Sequence, residues 1–263
     1  MIKADIYMNF FYGVNNNLFK SEVQIPLFQN SNFEKSNLKL FKSYPRSNKW
    51  ILQEISNKKI IKDYFYILKN EDILNNEIFF LADEEIFNEF DDKKLKNFNN
   101  FTDTDPAFRA NFKIYLNQGV GGFSSYQSEY PYSMITKKGK ILSSISSIAN
   151  FDAEKNYVLI KNIFEEPIEE SFKAYLVNYK TKSIEEQFEI RTNYTNCIEI
   201  SNKLVKPEIF LTTDKYLGIP MYVSVKNKFL SFEHTHPPHE YILSENKFIK
   251  VTNLKKEINE IIS

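Results

Sequence analysis

YVLIKNIF (Tyr157–Phe164), SFKAYLVNY (Ser171–Tyr179), EQFEIRT (Glu186–Thr192) and NCIEI (Asn196–Ile200) follow one another between Tyr157 and Ile200. Each is a short run rich in β-branched and aromatic residues, and NCIEI alternates as a strand does. Clusters of lysine, asparagine and serine break the runs at roughly the 8–12-residue spacing of a β-sandwich or barrel. The rhythm extends in both directions. Further strands are predicted at Leu18–Leu27, Leu38–Tyr44, Trp50–Ile55, Glu77–Leu81, Phe108–Leu116, Pro220–Val225 and Phe229–His234.

The fold class read from this pattern is mainly β. The C-terminal half resembles an antiparallel sandwich of the immunoglobulin or fibronectin kind in its rhythm alone, since no diagnostic motif of those folds is present. The N-terminal half reads as β-rich with one helix, predicted over Asp83–Phe98 from its acidic start and its apolar Ile86, Phe87, Phe90 and Leu95. A short C-terminal helix is expected from Leu254, Ile258 and Ile261, docked on a sheet. The polar run NFNNFTDTDP (Asn97–Pro106) marks the expected boundary, giving a domain of residues 1–104 and a sandwich domain of 105–263.

Lysine plus arginine equals aspartate plus glutamate at 34 each, so no global field favours nucleic acid or an anionic membrane. No apolar run approaches the roughly 18–20 residues that cross a bilayer. The opening MIKADIYMNFFYGV lacks the uninterrupted apolar core of a secretory signal. The expectation is a cytoplasmic protein without nucleic-acid or membrane partners. A single cysteine, Cys197, rules out an intramolecular disulfide and any multi-cysteine zinc ribbon.

All three histidines fall in SFEHTHPPHEY (Ser231–Tyr241). On an alternating strand His234 and His236 project from one face about 6.5–7 Å apart, a spacing from which two imidazoles can reach one ion. His239 joins them only if Pro237-Pro238 turns, because three residues of extended polyproline advance about 9.3 Å. Glu233 and Glu240 are candidate catalytic carboxylates, able to ligate, orient an imidazole or act as general base. The pattern His234-x-His236-x-x-x-Glu240 is similar to the first metal motif of the cupins, in which two histidines and a glutamate hold a metal inside a β-barrel. The flanking glycines of that motif are absent, and no histidine follows His239 to complete a cupin set. A divalent metal (zinc, iron or manganese) is the expected cofactor of this cluster, on mixed nitrogen and oxygen ligation. A metal-free site and a strand simply ended by Pro-Pro are the alternatives.

A second stretch, GVGGFSSYQSEYPYSM (Gly119–Met134), holds half of the six glycines and a dense set of hydroxyl and aromatic groups. No GKS/T follows, and Pro131 interrupts any helix that would receive a phosphate. Ser125, Tyr126, Gln127, Glu129 and Tyr130 are candidate ligand-binding residues for a glycan or other polyol, with Arg109 as a candidate for an anionic group. Two functions therefore compete. One is a metal-binding β protein centred on His-x-His, acting on a small polar or sugar-like molecule. The other is a non-catalytic sandwich module that binds glycan or protein through the Tyr126–Tyr132 loop.

Overall fold

The structure is a computed structural model that describes residues 6–29, 34–35, 38–56, 59–61, 64–95, 110–118, 123–127, 130–131, 141–234 and 249–263. At 6–9, 28–29, 34–35, 59–61, 124–127, 130–131, 141–143, 234 and 249–252 it describes the backbone alone. Among the described residues the chain is mainly β. It divides into two compact units.

The first unit comprises Met1–Thr136, Ile163–Glu169 and Asn193–Thr195. Its elements are β1 (Ile6–Phe11), β2 (Phe19–Pro26), β3 (Phe28–Gln29), β4 (Glu34–Lys35), β5 (Lys39–Arg46) and β6 (Lys49–Glu54). After them come β7 (Lys59–Ile61), β8 (Phe65–Lys69), β9 (Ile78–Ala82), α1 (Ile86–Glu89), β10 (Asn111–Leu116), β11 (Ser124–Gln127) and β12 (Tyr130–Pro131). Two five-stranded antiparallel sheets result, ordered β12-β1-β9-β5-β6 and β11-β10-β2-β8-β7, beside the small β3-β4 ladder. Tyr12, directly after β1, meets Phe112 of β10 edge to face at 6.2 Å, and the Tyr66 hydroxyl of β8 donates to the Leu38 carbonyl just before β5. Aromatic rings thus join the sheets. Ser47 and Asn48 both take positive φ in the two-residue β5–β6 hairpin, the backbone that a tight hairpin twist demands.

β10, expected at the start of a second domain, hydrogen-bonds to β2 and β11 inside the first unit. The expected Asn97–Pro106 boundary lies outside the described residues. Residues from far along the chain complete this unit. The Glu165 carbonyl accepts from the Trp50 indole at 2.9 Å and from the Leu95 amide at 2.9 Å. Thr195 donates its hydroxyl to the Gly13 carbonyl at 3.0 Å and its amide to the Asn75 carbonyl at 2.8 Å. Asn193 holds the excursion in shape: its carboxamide accepts from the Phe164 amide at 2.7 Å and donates to the Glu166 and Ile168 carbonyls at 3.0 Å each.

The helix expected over Asp83–Phe98 is corrected to a single turn, α1, with Phe90 already extended. The physical reason is competition for the backbone. The Asp92 carbonyl accepts from the Trp50 amide at 2.7 Å and the Leu95 amide donates to Glu165, so these groups serve the edge strand β6 and the 163–169 segment instead of a helix. Residues 96–98 lie outside the described residues.

The second unit comprises Lys137–Asn162, Glu170–Thr192 and Asn196–Ser263. It contains β13 (Ile141–Ser144), β14 (Lys155–Lys161), β15 (Ser171–Asn178), β16 (Ser183–Arg191) and β17 (Thr195–Ile200), whose first residue belongs to the first unit. β18 (Ile209–Thr213), β19 (Ile219–Lys226), β20 (Phe229–His234) and α2 (Ile249–Ile262) complete it. Its sandwich is made of two four-stranded antiparallel sheets, β13-β18-β15-β16 and β17-β14-β19-β20. α2 is the expected C-terminal helix. It buries Ile258 fully against Tyr175 and Val177 of β15, with Leu254 and Ile261 packed beside it. Lys182 secures it, its ammonium 3.7 Å from the Tyr179 ring centre and 2.6 Å from Glu257. Gly218 takes φ +92 before β19, where a Cβ would stand 2.0 Å from the Lys161 carbonyl oxygen. Only glycine fits there.

Asn193 combines a positive φ of 51 with 2% exposure and three hydrogen bonds to the backbone. Asn193→Ala strands one amide and two carbonyls in an already strained conformation, and urea unfolding is expected to show a loss of about 3 kcal/mol. Asn193→Gly relieves the strain but not the lost bonds, and should lose less.

Candidate functional site

Two concavities lie within the second unit. The first to build is on the outer face of the β14-β19-β20 layers. In β19 (IPMYVSVK) Met221 and Val223 point to the sandwich core, so Tyr222 and Ser224 point the other way. Register carries that face sideways: Tyr222 pairs with Val158 on β14 and with Glu233 on β20, and Ser224 pairs with Asn156 and Ser231. A sheet face carrying such residues is usually wet. Here the segment Ile145–Phe151, a 3-10 turn and the loop after it, lies over part of it.

Asn156 ties that cover down. Its carboxamide accepts from the Asn150 amide at 2.9 Å and the Ser224 hydroxyl at 2.7 Å, and donates to the Asn150 carbonyl at 2.8 Å and to Asn202 at 2.9 Å. Between cover and sheet remains a recess of about 360 Å³, within the size of small-molecule sites. Ser146, Ser147 and Phe151 line it from the cover, and Tyr222, Ser231 and Glu233 from the sheet. Tyr222 is only 6% exposed, and its hydroxyl is buried with no hydrogen bond. Burial pushes its pKa far above that of an ordinary phenol, so it stays protonated and able to donate. Glu233, directly across the ladder, is exposed. The recess sets one carboxylate, one buried donor and several hydroxyls around a space.

The second concavity is a groove of about 850 Å³ between the edge strands β16 and β17. Glu186, Glu199, Lys155 and Cys197 line it. The hydrogen bond from Lys155 to Glu199, at 3.3 Å, raises the lysine pKa. Glu186 pairs in register with fully buried Leu176, so it stands on the core side of an edge strand, and its Oε2 is buried without a partner. A register shift between Leu176 and Val177 bulges the same strand pair. An inward charge and a bulge are standard defences of a sheet edge against adding a further strand.

Of the residues singled out in sequence, Glu233 lines the recess, and His234 ends β20 immediately after it, paired in register with Met221. His236, His239 and Glu240 lie outside the described residues, as do Arg109 and Glu129. Among the described residues no group of three or more His, Cys, Asp or Glu side chains is placed to hold a metal ion. Ser125, Tyr126 and Gln127 stand in β11, in register with Lys113, Phe112 and Asn111 of β10, and Tyr130 pairs with Phe10 from β12. Part of the tyrosine run is therefore strand. It belongs to the first unit and His234 to the second. Tyr222, Ser146, Ser147 and Phe151 were not singled out from sequence. The available signal was a tyrosine and a serine interrupting the apolar run Pro220–Val225, with a serine-rich segment upstream at Ser143–Ser147.

The chain matches no protein-family model, no curated protein and no solved structure. Among the described residues no helix is long and apolar enough to cross a membrane.

The edge-defence role of Glu186 has a direct readout. Glu186→Leu removes an unpaired buried carboxylate, and a rise in melting temperature is expected together with concentration-dependent association by analytical ultracentrifugation. A monomeric variant of parental stability would leave the carboxylate without that role.

Proposed function

We propose that the second unit is a binding module for a small polar molecule, held in the recess between the Ile145–Phe151 cover and the β19–β20 face. The observation that carries this reading is Tyr222, a lining residue of a recess of ligand size whose buried hydroxyl has no hydrogen bond to any described residue. An unsatisfied buried hydroxyl costs about 1–3 kcal/mol, and a ligand that accepts from it recovers that cost on binding. Glu233 supplies a strong acceptor opposite, and the serines can orient what enters. The lining binds and positions.

Tyr222→Phe separates ligand binding from stability. Deleting the hydroxyl is expected to stabilise the empty protein by about 1 kcal/mol, a few degrees in melting temperature for a domain of this size. A thermal-shift screen of small amines, amino acids, nucleosides and sugars should give compounds that stabilise the parent and act more weakly on the variant. A destabilised Tyr222→Phe protein would mean that the hydroxyl is satisfied, and the reading would fall.

A second reading keeps the histidines. Glu233 at the recess is followed directly by His234, and the chain then supplies His236, His239 and Glu240 in sequence. His234, His236, His239 and Glu240 are proposed to hold a divalent metal, zinc, iron or manganese; His234, paired with Met221, stands on the face of β20 opposite Glu233, so this centre is separate from the recess. Elemental analysis of untagged protein should find stoichiometric metal that disappears in His234→Ala/His236→Ala. Absence of metal, with melting unchanged by a chelator, removes this reading and leaves the recess intact.

A further inference from the structure

We infer that the molecule bound in the recess is a neutral saccharide, lying along the outer face of β20 from Glu233 toward Phe229. This inference rests on the recess being a binding site and adds what it recognises.

The balance of donors and acceptors comes first. Two hydroxyls of the lining are committed as donors within the protein: Ser224 to Asn156 at 2.7 Å and Ser147 to the Ser144 carbonyl at 2.6 Å. What those serines offer a ligand is therefore lone pairs, and Glu233 offers a carboxylate. Tyr222 offers one proton, which burial keeps in place. Ser146 and Ser231 add hydroxyls that can donate or accept, so a lining of mostly acceptors with Tyr222 as its buried donor matches a molecule that carries many hydroxyl donors and a few acceptors. Inorganic phosphate or a carboxylate brings negative charge and meets Glu233 with no lysine or arginine among the described lining residues. A simple amine satisfies Glu233 but accepts nothing from Tyr222. A sugar ring does both.

The apolar surfaces come second. Phe151, on the cover, is 74% exposed at the recess. Phe229 is 65% exposed and stands on the same face of β20 as Ser231 and Glu233, by the two-residue alternation of the strand. A single exposed phenylalanine needs no explanation. One on the cover and one on the strand face that carries the hydroxyl and carboxylate provide flat rings for the C–H faces of sugars. From Glu233 to Phe229 the strand covers about 13–14 Å, room for more than one ring. The inferred ligand is accordingly an oligosaccharide, its buried ring at Tyr222 and Glu233 and its outer ring on an aromatic side chain.

The test uses the full chain on an array of neutral oligosaccharides, with titration calorimetry of the best hit and inorganic phosphate as the anionic control. The parent is expected to bind a saccharide and not phosphate. Phe151→Ala/Phe229→Ala should weaken binding roughly tenfold with melting unchanged, since both rings are exposed, and Tyr222→Phe should weaken it by a similar factor while raising the melting temperature. Failure of the parent to bind any saccharide, with Tyr222→Phe still more stable than the parent, overturns the saccharide class and leaves the recess standing. Loss of stability in Tyr222→Phe overturns the recess itself. Saccharide binding that survives all three substitutions but is lost in Tyr126→Ala/Tyr130→Ala moves the site to the β11–β12 run of the first unit and overturns the assignment to β20.

Discussion

Backbone groups that leave a sheet still need hydrogen-bond partners when they are buried, and in this chain asparagine side chains supply them. A carboxamide presents the same donor and acceptor pair as a peptide group, so it can stand in for a missing strand. Asn193 does so for the 163–169 segment, binding one amide and two carbonyls. The Asn75 carboxamide closes on both backbone groups of Asn15, accepting from its amide at 2.9 Å and donating to its carbonyl at 2.8 Å. Asn196 closes on both the amide and the carbonyl of Arg191. Asn156 repeats the device under the recess cover. Remove these contacts, and both the stretch that reaches Trp50 and the cover of the recess lose what holds them to the sheets.

That dependence explains how much of the fold was legible in the sequence. Strand alternation is a local property, so β2, β5, β6, β9, β15, β19 and β20 stand close to where the pattern puts them. The amphipathic tail likewise carries its own 3.6-residue signal, and α2 docks by it. Asparagines between strands read only as separators, because nothing local tells a solvated asparagine from one turned inward. The same limit governs α1. Its acidic start and apolar spacing favour a helix, but Asp92 and Leu95 answer to Trp50 and Glu165, the second of these 70 positions beyond Leu95. The site followed this rule too. Glu233 was visible as a carboxylate beside the histidines. The Tyr222 recess was not, since it exists only when Ile145–Phe151 lies against the β19–β20 hairpin about 70 residues further along the chain.

Strand order shows the difference between rhythm and connection. Counting the eight strands of the second unit from β13, the second pairs with the fifth and the third with the sixth, as in an immunoglobulin sandwich. The first strand, however, lies beside the sixth instead of the second, and the seventh beside the second instead of the sixth. The seventh strand, β19, therefore becomes an inner strand between β14 and β20. This placement gives its outward residues two lateral neighbours, and it makes room for Tyr222 and Glu233 to oppose one another across a ladder.

Placement also decides how two buried, unpaired oxygens are to be understood. Glu186 Oε2 and the Tyr222 hydroxyl are both buried without a hydrogen bond. Glu186 stands on an edge strand, where a charge turned inward deters strand addition, so its cost has a structural return. Tyr222 stands on an inner strand with both ladders occupied, and there is no edge for it to defend. Phenylalanine would fill the same volume without the penalty. Ser43 and Thr212 also carry unpaired buried hydroxyls, but neither lines the recess or the groove. Tyr222 joins an uncompensated polar atom on an inner strand to a space of ligand size lined by a carboxylate, with no edge to defend. A polar group kept at a cost to the empty protein is what a site looks like when its partner arrives from outside the chain.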